Sequence, residues 1–117
     1  MRALYKSALL VGGLLLGSMA WAQKTQLLVY TALEVDQLKA YQEGFNKVHP
    51  EIDIKWVRDS TGVITAKLLA EKANPQADAV MGVAATSLAL MKKNGMLEPF
   101  APLNLDGLMP QYRDKAN

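Results

Sequence analysis

Leu27-Leu28-Val29-Tyr30-Thr31 is an unbroken run of strand length with no polar alternation, the pattern of a parallel strand covered on both faces. A parallel partner for such a strand is reached only through a crossover of a dozen or more residues, usually a helix. The chain downstream has that spacing. Leu38, Tyr41, Phe45 and Val48 recur at helical intervals between Glu34 and Val48, with Glu34 and Asp36 in the first turn, Lys47 in the last and His49-Pro50 as the stop. Ile52, Ile54 and Trp56 then alternate with Asp53, Lys55 and Val57, which predicts a strand with one wet face near a sheet edge.

A second helix is expected over 62–73, with Ile64 and Leu68 in one row, Val63, Ala66 and Ala70 beside them, and Asn74-Pro75 as the stop. A short third strand follows over 78–81, and a third helix over 86–94 on Leu88 and Met91, closed by Asn94-Gly95. Pro99, Pro102 and Pro110 mark the remainder as a surface connection. Strand and helix alternate throughout, so the expected fold class is α/β, a parallel sheet in a three-layer α/β/α arrangement built by right-handed crossovers.

The first 22 residues read as an address rather than as structure. Arg2 and Lys6 supply a positive start, the stretch from Ala8 to Leu16 is apolar or small, and Ala20-Trp21-Ala22 places small residues before Gln23. The uncharged run from Ser7 to Gln23 is interrupted by glycines and falls at or below the roughly 20 apolar residues that a bilayer span requires. A secretory signal peptide over 1–22, cleaved after Ala22, is therefore expected, leaving 23–117 as the mature piece. No cysteine follows for a lipid anchor, and the absence of cysteine also removes disulfides, thiolate metal sites and a cysteine nucleophile. Taking away 1–22 removes two of the 13 cations and none of the 11 acids, which leaves the mature piece neutral. That balance is unlike a nucleic-acid binder and fits an exported bacterial protein of the periplasm.

In a parallel sheet, ligands bind beyond the carboxyl ends of the strands. Three junctions lie there: Thr31 to Glu34, Arg58 to Gly62, and Gly82 to Ser87. A helix N-terminus carries unpaired N–H groups and about half a positive charge, enough to hold a phosphonate, phosphate or carboxylate head. The candidate ligand-binding residues are Thr31, Ala32, Leu33, Glu34, Ser60, Thr61, Gly62, Ala85 and Thr86. Ser60, Thr61 and Thr86 are hydroxyl donors in this reading and ordinary N-caps in the other. Glu34 either complements its helix dipole or holds a ligand ammonium, and Arg58 either pairs a phosphonate or forms a surface ion pair with Asp59. His49 is expected to be an exposed helix-end residue. No nucleophile elbow, His-Glu-x-x-His, paired-carboxylate or Walker pattern occurs, so neither catalysis nor a dedicated metal or cofactor site is expected.

Val-Tyr-Thr-Ala-Leu-Glu at 29–34, Trp-Val-Arg-Asp-Ser-Thr-Gly at 56–62, Thr-Ala-Lys-Leu-Leu-Ala-Glu-Lys at 65–72, Asn-Pro-Gln-Ala-Asp at 74–78 and Gly-x-Ala-Ala-Thr-Ser-Leu at 82–88 closely resemble substrate-binding proteins of 2-aminoethylphosphonate importers of the ATP-binding-cassette class. These belong to the type II periplasmic binding protein superfamily and are related to its ferric-iron-binding branch. The resemblance implies two α/β lobes closing on 2-aminoethylphosphonate, delivery to an inner-membrane permease, and a monomer. It also implies that 23–117 is the N-terminal part of the first lobe of a longer chain, with the second lobe absent. Glu34 and Val83 stand where the ferric branch typically has a liganding histidine and glutamate, which argues against iron. A binder of another anion on the same scaffold, or an exported enzyme or sensor with its active groups downstream, are the alternatives.

Overall fold

The computed structural model describes residues 23–114; the expected leader over 1–22 lies outside the described residues. The element order is β1 (Thr25–Thr31), α1 (Val35–Val48), β2 (Ile52–Arg58), α2 (Thr61–Ala70), β3 (Ala79–Met81) and α3 (Ala85–Lys93), followed by two single 3-10 turns at Leu105–Gly107 and Pro110–Tyr112. The three strands form one parallel sheet in the order β2-β1-β3. β1 is the central strand, as its unbroken apolar run requires, and Val29, Tyr30 and Thr31 are all buried. β2 is an edge strand, as its alternation implies.

Right-handed crossovers decide which face each helix covers. From β1 to β2 the chain steps one way, and from β2 to β3 it steps back past β1, so α1 and α2 lie on opposite faces. Side chains agree. Trp56, level with Val29, donates its indole Nε1–H to Gln42 of α1 at 2.6 Å, whereas neighbouring Tyr30 points its hydroxyl to Glu71 beside α2 at 3.0 Å. α3 packs on the same face as α2, where the Thr65 hydroxyl donates to Ser87 Oγ at 2.8 Å. Ile64 and Met91 are the fully buried anchors of these two helices.

Several helix boundaries and faces differ from the sequence expectation. On α1 the packed row is Leu38, Gln42 and Phe45, while Tyr41 and Val48 stay exposed at 55% and 72%. The buried face is rotated by one residue because Trp56 engages Gln42. α2 starts at Thr61 and stops at Ala70 instead of spanning 62–73: the N–H of Asn74 turns back to Glu71 O at 2.8 Å before Pro75. Ile64 and Leu68 keep the expected row, Val63, Ala66 and Ala70 face solvent, and half-buried Thr65 packs beside that row instead. α3 ends as expected. Asn94 caps it, Gly95 takes φ +65°, and the N–H groups of Gly95 and Met96 return to Lys92 O and Met91 O at 2.9 and 3.0 Å, a Schellman closure. Among the described residues no helix is long and apolar enough to cross a membrane.

One polar cluster ties β1 to α2. Glu71 accepts from Tyr30 and from Lys67 Nζ at 2.5 Å, and the Lys67 ammonium lies 5.3 Å from the Tyr30 ring centroid. The Lys67 hydrogen bond, opposed by partial burial and helped by Tyr30, holds the Glu71 carboxyl below its ordinary 4.5; Glu71 in turn raises Lys67. A carboxylate whose folded value is depressed contributes stability above its unfolded value and loses it as pH falls through the folded one. Urea midpoints measured from about pH 6 down to about pH 3 should therefore fall, and Glu71→Gln should flatten part of that fall. An equally steep decline in the variant would assign the acid sensitivity elsewhere.

Candidate functional site

All three strands end level. Thr31 stands opposite Arg58 on one side and Met81 on the other, so the three junctions leave the sheet at one edge. The strand order reverses at β1, and the helices that follow β1 and β3 pass to opposite faces. Topology puts the switch-point crevice of such a sheet between the loop 32–34 and the loop 82–84, where the Leu33 side chain packs on Gly82.

Leu33 sits in the middle of that crevice and is held on every side. Its N–H donates to the buried Thr31 Oγ1 at 3.1 Å, and its carbonyl accepts from Arg58 Nε at 2.7 Å. Its side chain lies over Gly82, whose φ is +65°; a Cβ there would stand 2.6 Å from Leu33 Cδ2. Arg58 also pairs with Glu34 Oε2. The expected Arg58–Asp59 ion pair is thus replaced by Arg58–Glu34, because Arg58 points to the face that α1 covers. Asp59 instead accepts the Ser60 N–H at 2.7 Å through Oδ1.

The three helix starts are not equivalent. α1 begins at Glu34, whose own N–H donates to Gln37 Oε1 at 3.0 Å, so an acid already stands at that dipole. α2 is capped by Ser60, whose Oγ accepts from Val63 N–H at 3.4 Å. α3 is different. Ala84 occupies its N-cap and offers no side-chain acceptor, and the first turn is tightened only by Ser87 N–H and Leu88 N–H on Ala84 O at 2.9 and 3.3 Å. The Thr65–Ser87 hydroxyl bond joins the second turn of α2 to the first turn of α3.

Strand register and the Leu33–Gly82 contact put Thr31, Ala32, Leu33 and Glu34 at the same sheet edge as the start of α3 with Ala85 and Thr86, and Ser60, Thr61 and Gly62 open α2 beyond β2 at that edge. Thr31 is fully buried and acts within the loop. Thr86 is not an N-cap: it is the second residue of α3, because the helix starts one residue earlier than its hydroxyl pattern suggested. Gly62 is open, with nothing within 4 Å of the place a methyl group would take. His49 is the exposed C-cap of α1, bonded through Nδ1 to Glu51 at 3.2 Å. Sequence reasoning missed Arg58 as a loop holder and Gly82 as a seat. A glycine directly after a strand was a legible sign of close backbone approach, whereas the Arg58 bond to a carbonyl 25 residues away was not. A groove of about 1030 Å³ lined by Leu68, Val80, Leu88, Leu97 and Phe100 lies apart from these loops.

A family model described as bacterial extracellular solute-binding protein matches residues 31–117. The chain belongs to that family. The family is one of binding proteins, not of enzymes, and its members work outside the cytoplasm. Among curated relatives, a probable ABC transporter periplasmic-binding protein y4fP of Sinorhizobium fredii is 42% identical over 62 residues, which is 53% of this chain and 17% of that protein. An uncharacterized protein of Haemophilus influenzae is 29% identical over 94% of this chain and 31% of its own length. Among solved structures, the periplasmic binding protein AfuA of Actinobacillus pleuropneumoniae, with exogenous fructose-6-phosphate bound, superposes with a TM-score of 0.71 at 28% identity over 80% of this chain and 29% of AfuA. The periplasmic binding protein P5PA gives 0.68 at 26% identity over 76% of this chain and 28% of that one. The expected parallel α/β fold and its place in the type II periplasmic binding protein superfamily are borne out. The chain spans less than a third of the length of these relatives.

Gly82→Ala tests the seat under Leu33. The left-handed φ alone costs a side chain about 1–2 kcal/mol, and the collision with Leu33 adds to it, so denaturant melts should show a loss beyond about 1 kcal/mol. Gly62→Ala, in open space, should change stability little or raise it.

Proposed function

We propose that this chain forms the ligand-facing start of the first lobe of a two-lobe periplasmic solute-binding protein, exported by a cleaved leader over 1–22. The full protein captures a small solute with a phosphonate or phosphate head, 2-aminoethylphosphonate in the first instance, and delivers it to an ABC permease of the inner membrane. It acts as a monomer and needs no cofactor. The observation that carries the reading is the start of α3 beyond β3: Ala84 at its N-cap supplies no side-chain acceptor, whereas Ser60 caps α2 and an acid, Glu34, already stands at the start of α1, and an uncapped helix start suits an anion. Ala85 and Thr86 supply the N–H donors and Thr86 a hydroxyl. Ala32 and Leu33 form the opposite wall in this reading, with buried Thr31 holding their loop from beneath, and Ser60, Thr61 and Gly62 flank it. Closure of a second lobe would exclude water and strengthen those bonds.

The ligand ammonium is assigned to Glu34 only if it competes with Arg58, which already occupies Oε2. A sugar phosphate is the second reading, favoured by the fructose-6-phosphate bound to AfuA, and it uses the same anion site.

The test is calorimetric titration of the full reading frame that holds this chain with 2-aminoethylphosphonate, ethylphosphonate and fructose 6-phosphate. Preference for 2-aminoethylphosphonate over ethylphosphonate, lost in Glu34→Gln, supports the first reading with Glu34 as ammonium partner. Preference kept in that variant removes Glu34 from the role. Ala84→Asp places a carboxylate acceptor at the α3 start, so it should stabilise the fold by about 1 kcal/mol and weaken every anionic ligand at least about tenfold. Unweakened binding in Ala84→Asp would sink the α3 site.

A further inference from the structure

Arg58 stands at the end of β2, on the far side of β1 from the switch point, yet its guanidinium reaches the crevice loop twice. Nε–H donates to the Leu33 carbonyl at 2.7 Å and the terminal nitrogen pairs with Glu34 Oε2. From the other side of β1, Gly82 receives the Leu33 side chain in space that only a residue without Cβ leaves open. Thr31 Oγ1 takes the Leu33 N–H at 3.1 Å from below. The N–H, the carbonyl and the side chain of one residue are therefore each held by a different partner, from all three strands or the loops that leave them.

We infer that Arg58, Leu33 and Gly82 form one latch that preforms the β1–α1 loop before any ligand arrives, with Arg58 a positioning residue and not an anion contact. The inference deepens the proposed function and rests on it only for what the loop is for. Two physical points support the assignment. The Arg58 charge is already matched by Glu34, so the guanidinium offers an incoming anion less than a free cation would. Its side chain is also spread over a carbonyl and a carboxylate in a fork that a lysine cannot reproduce, so the arrangement reads as geometry-setting rather than as a point charge for steering. A preformed loop avoids the ordering cost that a mobile one would take from binding.

Amide exchange followed by NMR on the ligand-free full protein tests the latch without any ligand. The Leu33 amide should be protected in the wild type. Arg58→Met and Gly82→Ala should each speed its exchange about tenfold or more beyond any change that a loss of global stability gives the core amides of Ile54 and Ile64. Because either change opens the same latch, the double variant should exchange no faster than the more affected single one, a strong non-additivity between sites on opposite sides of β1. Arg58→Lys should behave like Arg58→Met at Leu33. Unchanged Leu33 exchange in Arg58→Met, or multiplicative effects in the double variant, would overturn the latch. With 2-aminoethylphosphonate and fructose 6-phosphate as probes, Arg58→Met and Gly82→Ala, which removes no charge, should weaken both by a similar factor. Loss confined to Arg58→Met would instead make Arg58 a ligand contact. A wild-type protein that binds neither probe would remove the ligand reading and leave the exchange result standing.

Discussion

Burial of β1 between two parallel neighbours is the constraint on which the described structure depends. Val29, Tyr30 and Thr31 lose nearly all contact with water, and each uses that position differently. Val29 lies level with Trp56, which ties α1 to one face. Tyr30 crosses to the other face and holds Glu71 and Lys67 at the end of α2. Thr31 ends the strand and folds its hydroxyl back onto the next loop. Both faces of the sheet and one wall of the crevice are thus positioned from three consecutive residues.

The site follows from where β1 stops. With Thr31 level with Arg58 and Met81, the loops leaving the strands have to share one edge, and right-handed crossovers send their helices to opposite faces. The place of the switch point between them is a consequence of chain topology. Its chemistry is set by which donors the helix starts have already satisfied. Glu34 with Gln37 and Ser60 with Asp59 satisfy donors of the first two junctions internally, while Ala84 gives the start of α3 no side-chain acceptor. Three similar junctions in sequence become three differently finished helix starts in space.

Period and length were legible in the residues themselves. The apolar run at 27–31 gives a central strand, the alternation at 52–57 an edge strand, and Asn94-Gly95 a helix closure, because each depends on contacts within a few residues. Helix faces were less legible. Tyr41 and Val48 complete an apolar stripe on paper, yet Gln42 is the residue that packs, since only the position of Trp56 decides which side of α1 meets the sheet. The start of α3 shows the same limit: Thr86 is the better N-cap by type, and Ala84 holds the position because β3 and Gly82 deliver the chain there.

The sequence by itself determined the order of elements, the parallel sheet and the central place of β1, all of which follow from local periodicity and from the handedness of crossovers. Only the tertiary structure decided that Arg58 belongs to Glu34 and Leu33 and not to its neighbour Asp59, and that Gly82 seats Leu33. Those pairings join residues 24 to 49 positions apart, and no local propensity specifies a partner at that distance until the strands are in register.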